Sequence, residues 1–553
     1  MPTRILTPEY VNGIFKGLKI SPEPKAEPAH GLTPPALNKS IQYKRCMLQL
    51  RSKGDRPLEK YIFLSSLKQY DEEMFYAILM ANMPEICPLI YTPTVGDACL
   101  NFSHIYRKPE GLYVSIEDKG SIKNVLRVWP HKDKARITVV TDGSRILGLG
   151  DLGVNGMPIS IGKLSLYIAG AGFKPESTLP ICLDLGTNNA KNLDDPLYLG
   201  LRRKRVDDKE MDEFMDEFMH AMAEVFPNIL VQFEDFSTDH AFHYLERYQN
   251  TAKVPVFNDD IQGTGAVVLS GFVNAAKLSS EASGRDLTDH RVLFLGAGSA
   301  GVGVAKQVMS FFTLQGLSEE EAKSRIWFID SQGMITADRP KLQAHKIYFA
   351  RKDYSGPPLK NLLDIIDYVK PTALVGLSTM RGAFTKEAVE KMAELNPRPI
   401  IFPLSNPVSL SECEFKDAIE WTDGKVIFAS GSPFLPYTYK GKEYYPGQGN
   451  NMYVFPGIGF GGVLSKCKHV TPSMVENASL ALAESLTQEE RDMGLIYPKL
   501  TRVREVSMQI AARVIHVAQE EHVDRNAPLR HMDDEHLLEF ARKRSWYPRV
   551  PSS

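Results

Sequence analysis

Two pairs of acidic residues follow apolar, strand-like runs in separate parts of the sequence. Glu234 and Asp235 lie in LVQFEDF, and Asp259 and Asp260 lie in VFNDDIQGTG. Carboxylates at the ends of two buried strands repel one another when they meet, and a cation removes that repulsion. Oxygen ligands favour Mg²⁺ or Mn²⁺, whose octahedral shell leaves positions for a substrate and water. Either pair alone also fits a solvated loop, but the two pairs together predict a divalent-metal site.

The pattern G-x-G-x-x-G occurs at 148–153 and again at 296–301, so the pattern alone does not locate a phosphate-binding loop. The copy at 296–301 follows the apolar run VLFL and opens into a helical stretch. Backbone N–H groups at such a strand-to-helix turn bind a pyrophosphate. The copy at 148–153 carries Asp151, whose carboxylate would repel phosphate, so the later copy is the predicted dinucleotide loop. Its predicted cofactor-binding residues are Gly296, Ala297, Gly298, Ser299, Ala300 and Gly301.

Asp330 ends the next strand-like run, SRIWFID. An acid at this position is expected to hydrogen-bond the adenosine ribose of a bound dinucleotide. It lies farther from the glycines than the usual ~20 residues, and the helical stretch LSEEEAKSR accounts for the surplus. The alternative interpretation is that Asp330 only caps the end of its strand.

Alternating strands and helices must carry these residues. Five short apolar strands after Asp259, from RVLFLGAGSAG to KVIFASGSPF, predict a doubly wound, Rossmann-like sheet. ARITVVTDG and LPICLDLGTNN predict strands of an earlier α/β domain, and helical spacing from Ile41 to Leu89 predicts a helical N-terminal domain. The predicted division is an N-terminal helical domain (1–109), a substrate and metal α/β domain (110–256 and 451–515), a dinucleotide-binding domain (257–450) and a C-terminal tail (516–553).

The bulk composition argues against several classes of partner. The chain has 553 residues, of which 43% are hydrophobic and 24% charged, and a formal net charge of −2. This balance gives no electrostatic reason to expect nucleic acid or an anionic membrane, and Gly, Pro or charges interrupt each long apolar run. The basic run 202–205 is expected to be a solvated loop. We therefore expect small molecules as partners.

Eight sequence blocks together resemble the signature blocks of the malic enzyme family. They appear in the family's order between about residues 57 and 515: YTPTVG, TDGSRILGLGDLG, FEDF, FNDDIQGT, FLGAGSAG, PLSNP, ASGSPF and PGQGNN. Eight separated blocks are a far more specific signal than any glycine-rich loop. The resemblance implies an enzyme that converts L-malate to pyruvate and CO₂ with NAD(P) and a divalent metal.

The resemblance also implies roles for individual residues. Glu234, Asp235 and Asp260 match the metal ligands. Arg145, in TDGSRILG, matches a residue that pairs with a malate carboxylate, a task suited to the fork of a guanidinium group.

The remaining matched positions imply acid–base and binding roles. Lys163, in SIGKL, and Tyr91 match the catalytic base and acid, and Asp259 matches a residue that supports them. Asn406 in LSNP and Asn450 in GQGNN match contacts to the substrate or the nicotinamide.

The resemblance leaves the choice of dinucleotide open, and the residues favour NADP over NAD. Asp330 itself argues for NAD, because an acid there suits a free ribose 2′-hydroxyl. Ser331 after it is small and leaves room for a 2′-phosphate. A basic segment downstream is expected to return to this pocket, and it contains His345, Lys346, Arg351 and Lys352. The alternative interpretation is a basic loop that faces solvent.

Two other classes of protein fit parts of the sequence. A hydroxy-acid dehydrogenase without decarboxylation would share the dinucleotide fold, but such enzymes usually rely on a His–Asp pair and no metal. An inactive dinucleotide-binding protein is expected to lose Tyr91, Lys163 or the acidic pairs, and all of them are present. The acidic pairs and the intact acid–base residues therefore favour the decarboxylating enzyme.

The sequence also bears on the assembly and the compartment of the protein. The resemblance implies a homodimer or homotetramer. Six cysteines occur without C-x-x-C spacing, which argues against a zinc site or a disulfide framework and fits a reducing compartment. We expect a cytoplasmic protein, or a mitochondrial one if a presequence has been removed.

Overall fold

The computed structural model describes residues 38–406 and 408–549, which form two compact units. The first contains the described residues up to Phe226 and those from Arg542 onward, and the second runs from Pro227 to Ala541. Residues 1–37 of the predicted N-terminal domain and residues 550–553 of the predicted tail lie outside the described residues. The four-part division made from the sequence stays a prediction.

Helices form the first part of the first unit, as the apolar spacing predicts. The helix Glu72–Ala81 shows the reason: the Asp71 carboxylate accepts a hydrogen bond from Met74 N at 3.0 Å, which satisfies a donor at the helix start. Phe75, Ile78 and Leu79 of this helix are buried. The helices before the first strand are Lys39–Arg51, Pro57–Tyr70, Glu72–Ala81, Met83–Ile90, Thr94–Leu100 and Phe102–Ile105.

A parallel sheet follows in the same unit. This unit contains the strands β1 (Leu112–Ser115), β2 (Ile137–Thr141) and β3 (Thr178–Asp184), and β3 pairs with both others. Every residue of β2 and β3 is buried, which explains their nearly continuous apolar sequences. Both strands predicted for this domain are thereby confirmed. The helices between and after these strands are Ile122–Leu126, Met157–Ala171, Ala190–Asp194 and Asp208–Val225.

The C-terminal segment packs against the first unit. The Trp546 ring lies edge-on to Tyr76, with the ring centroids 5.7 Å apart. Trp546 N donates a hydrogen bond to the carbonyl oxygen of Gly172 at 2.7 Å. This end of the chain is therefore held by an aromatic contact and a backbone hydrogen bond.

The second unit begins with a parallel pair of short strands, β4 (Leu230–Phe233) and β5 (Val256–Asn258). The chain leaves β5 through a π-helical turn, Asp259–Gly263, that continues into the helix Thr264–Ser283. Such π-helical turns are rare and occur often at functional sites. Here the turn contains two of the acids singled out in the sequence.

A seven-stranded sheet forms the centre of the second unit. The strand order is β14-β11-β10-β9-β6-β7-β8, and all neighbours are parallel except the β7–β8 pair. The chain proceeds outward from β6 to β7 on one side and then to β9 on the other, so the winding reverses beside β6. The predicted doubly wound sheet is confirmed. Its strands are β6 (Val292–Leu295), β7 (Ile326–Asp330), β8 (Gly333–Met334), β9 (Ala373–Gly376), β10 (Ile400–Pro403), β11 (Ile427–Ser430) and β14 (Gly447–Gln448).

The second unit contains further elements besides this sheet. A small antiparallel hairpin consists of β12 (Tyr437–Tyr439) and β13 (Lys442–Tyr444). None of the helices in the described parts of the chain combines the length and the hydropathy that a membrane span requires. The remaining helices are Thr238–Tyr248, Ser299–Leu314, Glu319–Ser324, Ala344–Ile347, Leu362–Val369, Lys386–Leu395, Phe415–Trp421, Phe455–Ser465, Pro472–Glu484, Gln488–Asp492, Val503–Glu520 and Asp534–Arg544.

Candidate active site

Three carboxylates meet where β4 and β5 end. Glu234 and Asp235 follow β4, Asp260 follows β5, and parallel strands bring their carboxyl ends to the same edge. One oxygen atom from each of the three side chains lies within 4.8 Å of the other two. Glu234 is 2% exposed and Asp235 7%. Three carboxylates this close favour a bound cation, and the all-oxygen donor set fits Mg²⁺ or Mn²⁺.

Local geometry fixes this cluster. Asp235 has φ 55°, in the left-handed region that a residue with a side chain rarely adopts. Its backbone N donates to the Asp260 carboxylate at 2.7 Å, and Gln232 Nε2 donates to Glu234 Oε2 at 2.8 Å. The strained turn and these hydrogen bonds hold the acids in place, although the role of each as a metal ligand stays a prediction.

Asp259 is completely buried beside the cluster, and Asn451 holds it. Asn451 Nδ2 donates to Asp259 Oδ2 at 2.9 Å and lies 3.0 Å from Thr264 Oγ1. Gly263 leaves space for the carboxylate, because a Cβ there would lie 1.9 Å from Asp259 Oδ1. The residue predicted from the sequence for a binding role is Asn450. Its side chain accepts a hydrogen bond from Met452 N at 3.0 Å. Asn451 was missed, since two adjacent asparagines in GQGNN give no signal that separates them.

The predicted acid and base meet in the first unit. Tyr91 follows the helix Met83–Ile90, and Lys163 lies within the helix Met157–Ala171. Lys163 Nζ donates to the Tyr91 hydroxyl at 3.0 Å and lies 4.9 Å from the centre of its ring. Tyr91 is 6% exposed and Lys163 2%. A Cβ on Gly162 would lie 2.8 Å from Ile90 O and 3.0 Å from Tyr91 Cδ2, so a glycine there lets the ring lie against the helix.

Arg145 lies exposed in a turn that follows β2, and a second arginine fixes the ends of that turn. Arg205 Nη2 donates to Asp142 O at 3.1 Å and to Asp151 Oδ1 at 2.8 Å. The Arg205 side chain is 8% exposed. From the sequence, the whole run 202–205 is expected to be solvated. This is correct for 202–204 and wrong for Arg205, which pairs with two acids distant in sequence.

The copy of the glycine pattern at 148–153 is a structural turn. Asp151 Oδ1 accepts from Gly153 N at 3.0 Å and from Thr187 Oγ1 at 2.9 Å. Asp151 also accepts from Arg205, so its charge stabilises the loop. Asp151, whose charge argued against phosphate binding, therefore stabilises this turn.

The later copy connects β6 to the helix Ser299–Leu314, as predicted. Gly296 has φ 110°, and a Cβ there would lie 2.4 Å from Leu377 O. A Cβ on Gly301 would lie 2.4 Å from Gly296 O, whereas the space beside Gly298 is open. Ala297 is 3% exposed, and the side chains of Ser299 and Ala300 lie outside those described. The turn has the close backbone approach and the helix start that a pyrophosphate needs.

Asp330 ends β7 and binds two cationic side chains. Arg339 Nη2 and Lys346 Nζ donate to its Oδ2 at 2.9 and 2.8 Å. Burial raises the pKa of the Asp330 carboxyl, but hydrogen bonds from Arg339, Lys346 and a backbone N–H outweigh burial and lower the pKa to about 2. The carboxylate is therefore ionised, and Ser331 beside it is exposed.

The basic segment after β7 reaches this pocket only in part. His345 Nε2 lies 3.1 Å from Ala297 O of the glycine turn, and Lys346 contacts Asp330. Arg351 instead is buried, with its guanidinium 4.3 Å from the centre of the Trp327 ring and its Nε 2.9 Å from Asp353. The expectation that Arg351 serves the pocket was wrong, because cation–π and acidic contacts hold it elsewhere.

Asn406 lies exposed after β10, at the carboxyl edge of the sheet. Its Oδ1 accepts from Ser432 Oγ at 2.5 Å. This bond orients the amide, and the predicted contact of Asn406 with substrate or nicotinamide stays a prediction.

The fold and these groups define a class of protein. A doubly wound sheet with a glycine turn beside its switch point and an acid after the second strand is typical of a dinucleotide-binding enzyme. The carboxylate cluster adds a site suited to a divalent cation.

Comparisons with known proteins name the family. The family model "Malic enzyme, N-terminal domain" matches residues 68–249, and "Malic enzyme, NAD binding domain" matches residues 261–519. The chain is 48% identical to NADP-dependent malic enzyme of Dictyostelium discoideum over 89% of each chain. It is 46% identical to chloroplastic NADP-dependent malic enzyme of Flaveria pringlei over 90% of this chain and 76% of that one. The chain belongs to the malic enzyme family, so the sequence resemblance is confirmed.

Solved structures agree in fold. The malic enzyme of Entamoeba histolytica superposes with a TM-score of 0.57 at 22% identity, covering 92% of this chain and 89% of that one. The malic enzyme of Pyrococcus horikoshii gives 0.54 at 24% identity, covering 83% and 89%.

Proposed function

We propose that this protein oxidises and decarboxylates L-malate to pyruvate and CO₂, with NADP⁺ as acceptor and Mn²⁺ or Mg²⁺ as cofactor. The observation that carries the proposal is the buried, hydrogen-bonded Lys163–Tyr91 pair in a chain of this family. A base and an acid in direct contact suit a reaction that first removes a proton and later returns one.

The proposed chemistry assigns one proton to each residue. Neutral Lys163 accepts the proton of the C2 hydroxyl as hydride leaves C2 for the dinucleotide. Tyr91 donates a proton to C3 after the C3–C4 bond breaks and CO₂ departs. The 3.0 Å hydrogen bond then allows the proton held by Lys163 to restore the Tyr91 hydroxyl. Glu234, Asp235 and Asp260 would hold a divalent cation, which would supply positive charge to stabilise negative oxygen on the substrate.

In this proposal Arg145 binds a malate carboxylate through its guanidinium fork. Its position in a turn with both ends fixed by Arg205 supports that role, because a fixed loop loses less conformational entropy on binding. Asp259, held by Asn451, supports the base, and Asn406 and Asn450 contact the substrate or nicotinamide.

The preference for NADP⁺ rests on the surroundings of Asp330. Lys346 and Arg339 both lie within 2.9 Å of its carboxylate and beside the small Ser331. A ribose 2′-phosphate near these cations gains charge-assisted hydrogen bonds worth about 1.5–3 kcal/mol each. Without the cations, Asp330 would favour the free 2′-hydroxyl of NAD⁺. The relatives named above are NADP-dependent by name, which supports the same preference.

The proposed assembly is a homodimer or a homotetramer. The proposed compartment is the cytoplasm, with the mitochondrion as the alternative if a presequence has been removed. The assembly follows from the family. The compartment is supported by the six cysteines of the sequence, whose scattered spacing fits a reducing environment. Light scattering during size-exclusion chromatography measures the assembly.

One assay tests the proposed reaction. Malate is supplied with NADP⁺ or NAD⁺, with Mn²⁺ or with EDTA, and both reduced dinucleotide and product are measured. We expect metal-dependent reduction of NADP⁺ with pyruvate and CO₂ as products. Oxaloacetate as the product would indicate a dehydrogenase without decarboxylation. No turnover despite dinucleotide binding would indicate an inactive binding protein.

A further inference from the structure

Glu412 is a fully buried carboxylate that accepts hydrogen bonds from two separate loops. Its Oε1 accepts from Ser378 N at 3.0 Å and from Ser378 Oγ at 2.9 Å. It also accepts a short hydrogen bond from Ser405 Oγ, and its Oε2 accepts from Ser405 N at 3.3 Å. All four partners are donors, so this arrangement suits an ionised carboxylate, which only accepts.

A buried charge destabilises a protein unless hydrogen bonds compensate for its lost hydration. A glycine leaves space for the Glu412 carboxylate. A Cβ on Gly376, the last residue of β9, would lie 2.5 Å from Glu412 Cδ. An apolar residue of the same volume would leave the donors of Ser378 and Ser405 without this acceptor, so the carboxylate joins the two loops.

Both loops lie at the carboxyl edge of the sheet, where the dinucleotide turn is. Ser378 follows Leu377, whose N donates to Leu295 O at 2.8 Å. The Leu377 carbonyl packs so close to Gly296 that only a glycine fits there. Ser405 immediately precedes Asn406, and Ser405 Oγ accepts from Thr379 N at 2.9 Å.

We propose that Glu412 is a positioning residue for the dinucleotide. It fixes the loop after β9, which supports the glycine turn, to the loop after β10, which carries Asn406. Glu412 does not contact the dinucleotide itself and acts through these two loops. The inference rests on the proposed use of a dinucleotide by this enzyme.

Glu412→Gln tests the role, because glutamine keeps the shape but has one acceptor oxygen and adds an N–H donor facing other donors. We expect the Kd of NADPH, measured by fluorescence titration, and the KM of NADP⁺ to rise about tenfold, as loss of about 1.4 kcal/mol would give. The affinity for Mn²⁺ should stay at the parental value. Glu414→Gln is the matched control, because Glu414 is exposed two residues away.

The outcomes separate this inference from the proposed function. If the parent binds neither NADPH nor NADH, the proposed function fails first. If the parent binds and Glu412→Gln binds equally well, the positioning role is wrong. A parallel loss of NADPH and Mn²⁺ affinity in a folded variant would indicate a general structural role and also overturn it.

Ser405→Ala is the second variant and decides the question should Glu412→Gln not fold. It keeps the carboxylate and removes one of its donors, so NADPH affinity should fall in the same direction and by less. Parental NADPH affinity in Ser405→Ala would contradict the inference.

Discussion

The Nζ atom of Lys163 and the phenol oxygen of Tyr91 lie 3.0 Å apart, inside a unit where both side chains are almost fully buried. The two residues are 72 positions apart in sequence. Only packing of the helix around Gly162 against the end of the helix Met83–Ile90 brings them together. In the proposed mechanism this contact lets the two residues exchange a proton, so its loss should affect chemistry before binding.

Tyr91→Phe should lower kcat about 10²- to 10⁴-fold, the range typical of a lost general acid. The phenyl ring fills the same space, so the affinities for Mn²⁺ and NADPH should stay unchanged. Steady-state kinetics and binding titrations measure both. Tyr70→Phe is the control, because Tyr70 is 90% exposed in the same unit. Parental turnover of malate by Tyr91→Phe would assign the acid to another residue.

Asp260→Asn and Glu234→Gln should each weaken Mn²⁺ binding, since each removes one negative charge from a cluster of three. We expect a loss of affinity of at least about tenfold, the lower bound for disturbed metal sites, and a parallel fall in turnover at limiting metal. Asp239→Asn is the control, because Asp239 is an exposed acid that lies close in sequence to the cluster. Normal activity of either cluster variant at limiting Mn²⁺ would remove these residues from the metal site.

Residues whose position depends on strands and turns could be predicted from the sequence. Strands carry a strong apolar signal, so the ends of β4 and β5 could be located, and parallel pairing then brings Glu234 and Asp260 together. The strand-to-helix position of the glycine pattern at 296–301 could be predicted in the same way, whereas its binding of a dinucleotide stays a prediction. The helical start of the first unit and the doubly wound sheet followed from the same alternation.

Residues whose role depends on a distant partner could not be predicted. Arg205 lies in a run of basic residues, and nothing local separates it from its exposed neighbours until Asp142 and Asp151 meet it. Arg339 was missed at the ribose pocket for the same reason. Glu412 lies in an ordinary loop sequence, and only tertiary packing gives it four donors.

Lys346→Ala should reduce the preference for NADP⁺ over NAD⁺. Removing one cation near the predicted 2′-phosphate costs about 1.5–3 kcal/mol, which is roughly a 10- to 150-fold fall in kcat/KM for NADP⁺. The value for NAD⁺ should change little. Lys352→Ala is the control, because Lys352 is exposed on the same basic segment. If the parent already prefers NAD⁺, or if both variants behave alike, the assignment of the pocket is wrong.

We expect the buried His290 to make the stability of the second unit depend on pH. Its imidazole is completely buried, with Nδ1 2.9 Å from Thr372 Oγ1 and Nε2 2.9 Å from Ser280 Oγ. Burial lowers the pKa of His290 from 6.5 to about 4. Below pH 6.5, His290 of the unfolded chain therefore binds a proton, whereas His290 of the folded chain binds one only near pH 4.

The contribution of His290 is consequently complete above pH 6.5 and is lost as the pH falls towards 4, at a total of about 3 kcal/mol. His290→Gln has no imidazole to titrate, so its urea midpoint should fall less between pH 7 and pH 5 than that of the parent, even if it is lower at pH 7. His531→Gln replaces an exposed histidine of the same unit and should keep the parental slope. If parent and His290→Gln lose stability equally over this range, other buried groups cause the acid sensitivity, and His290 does not remain neutral in the folded protein for the reason given.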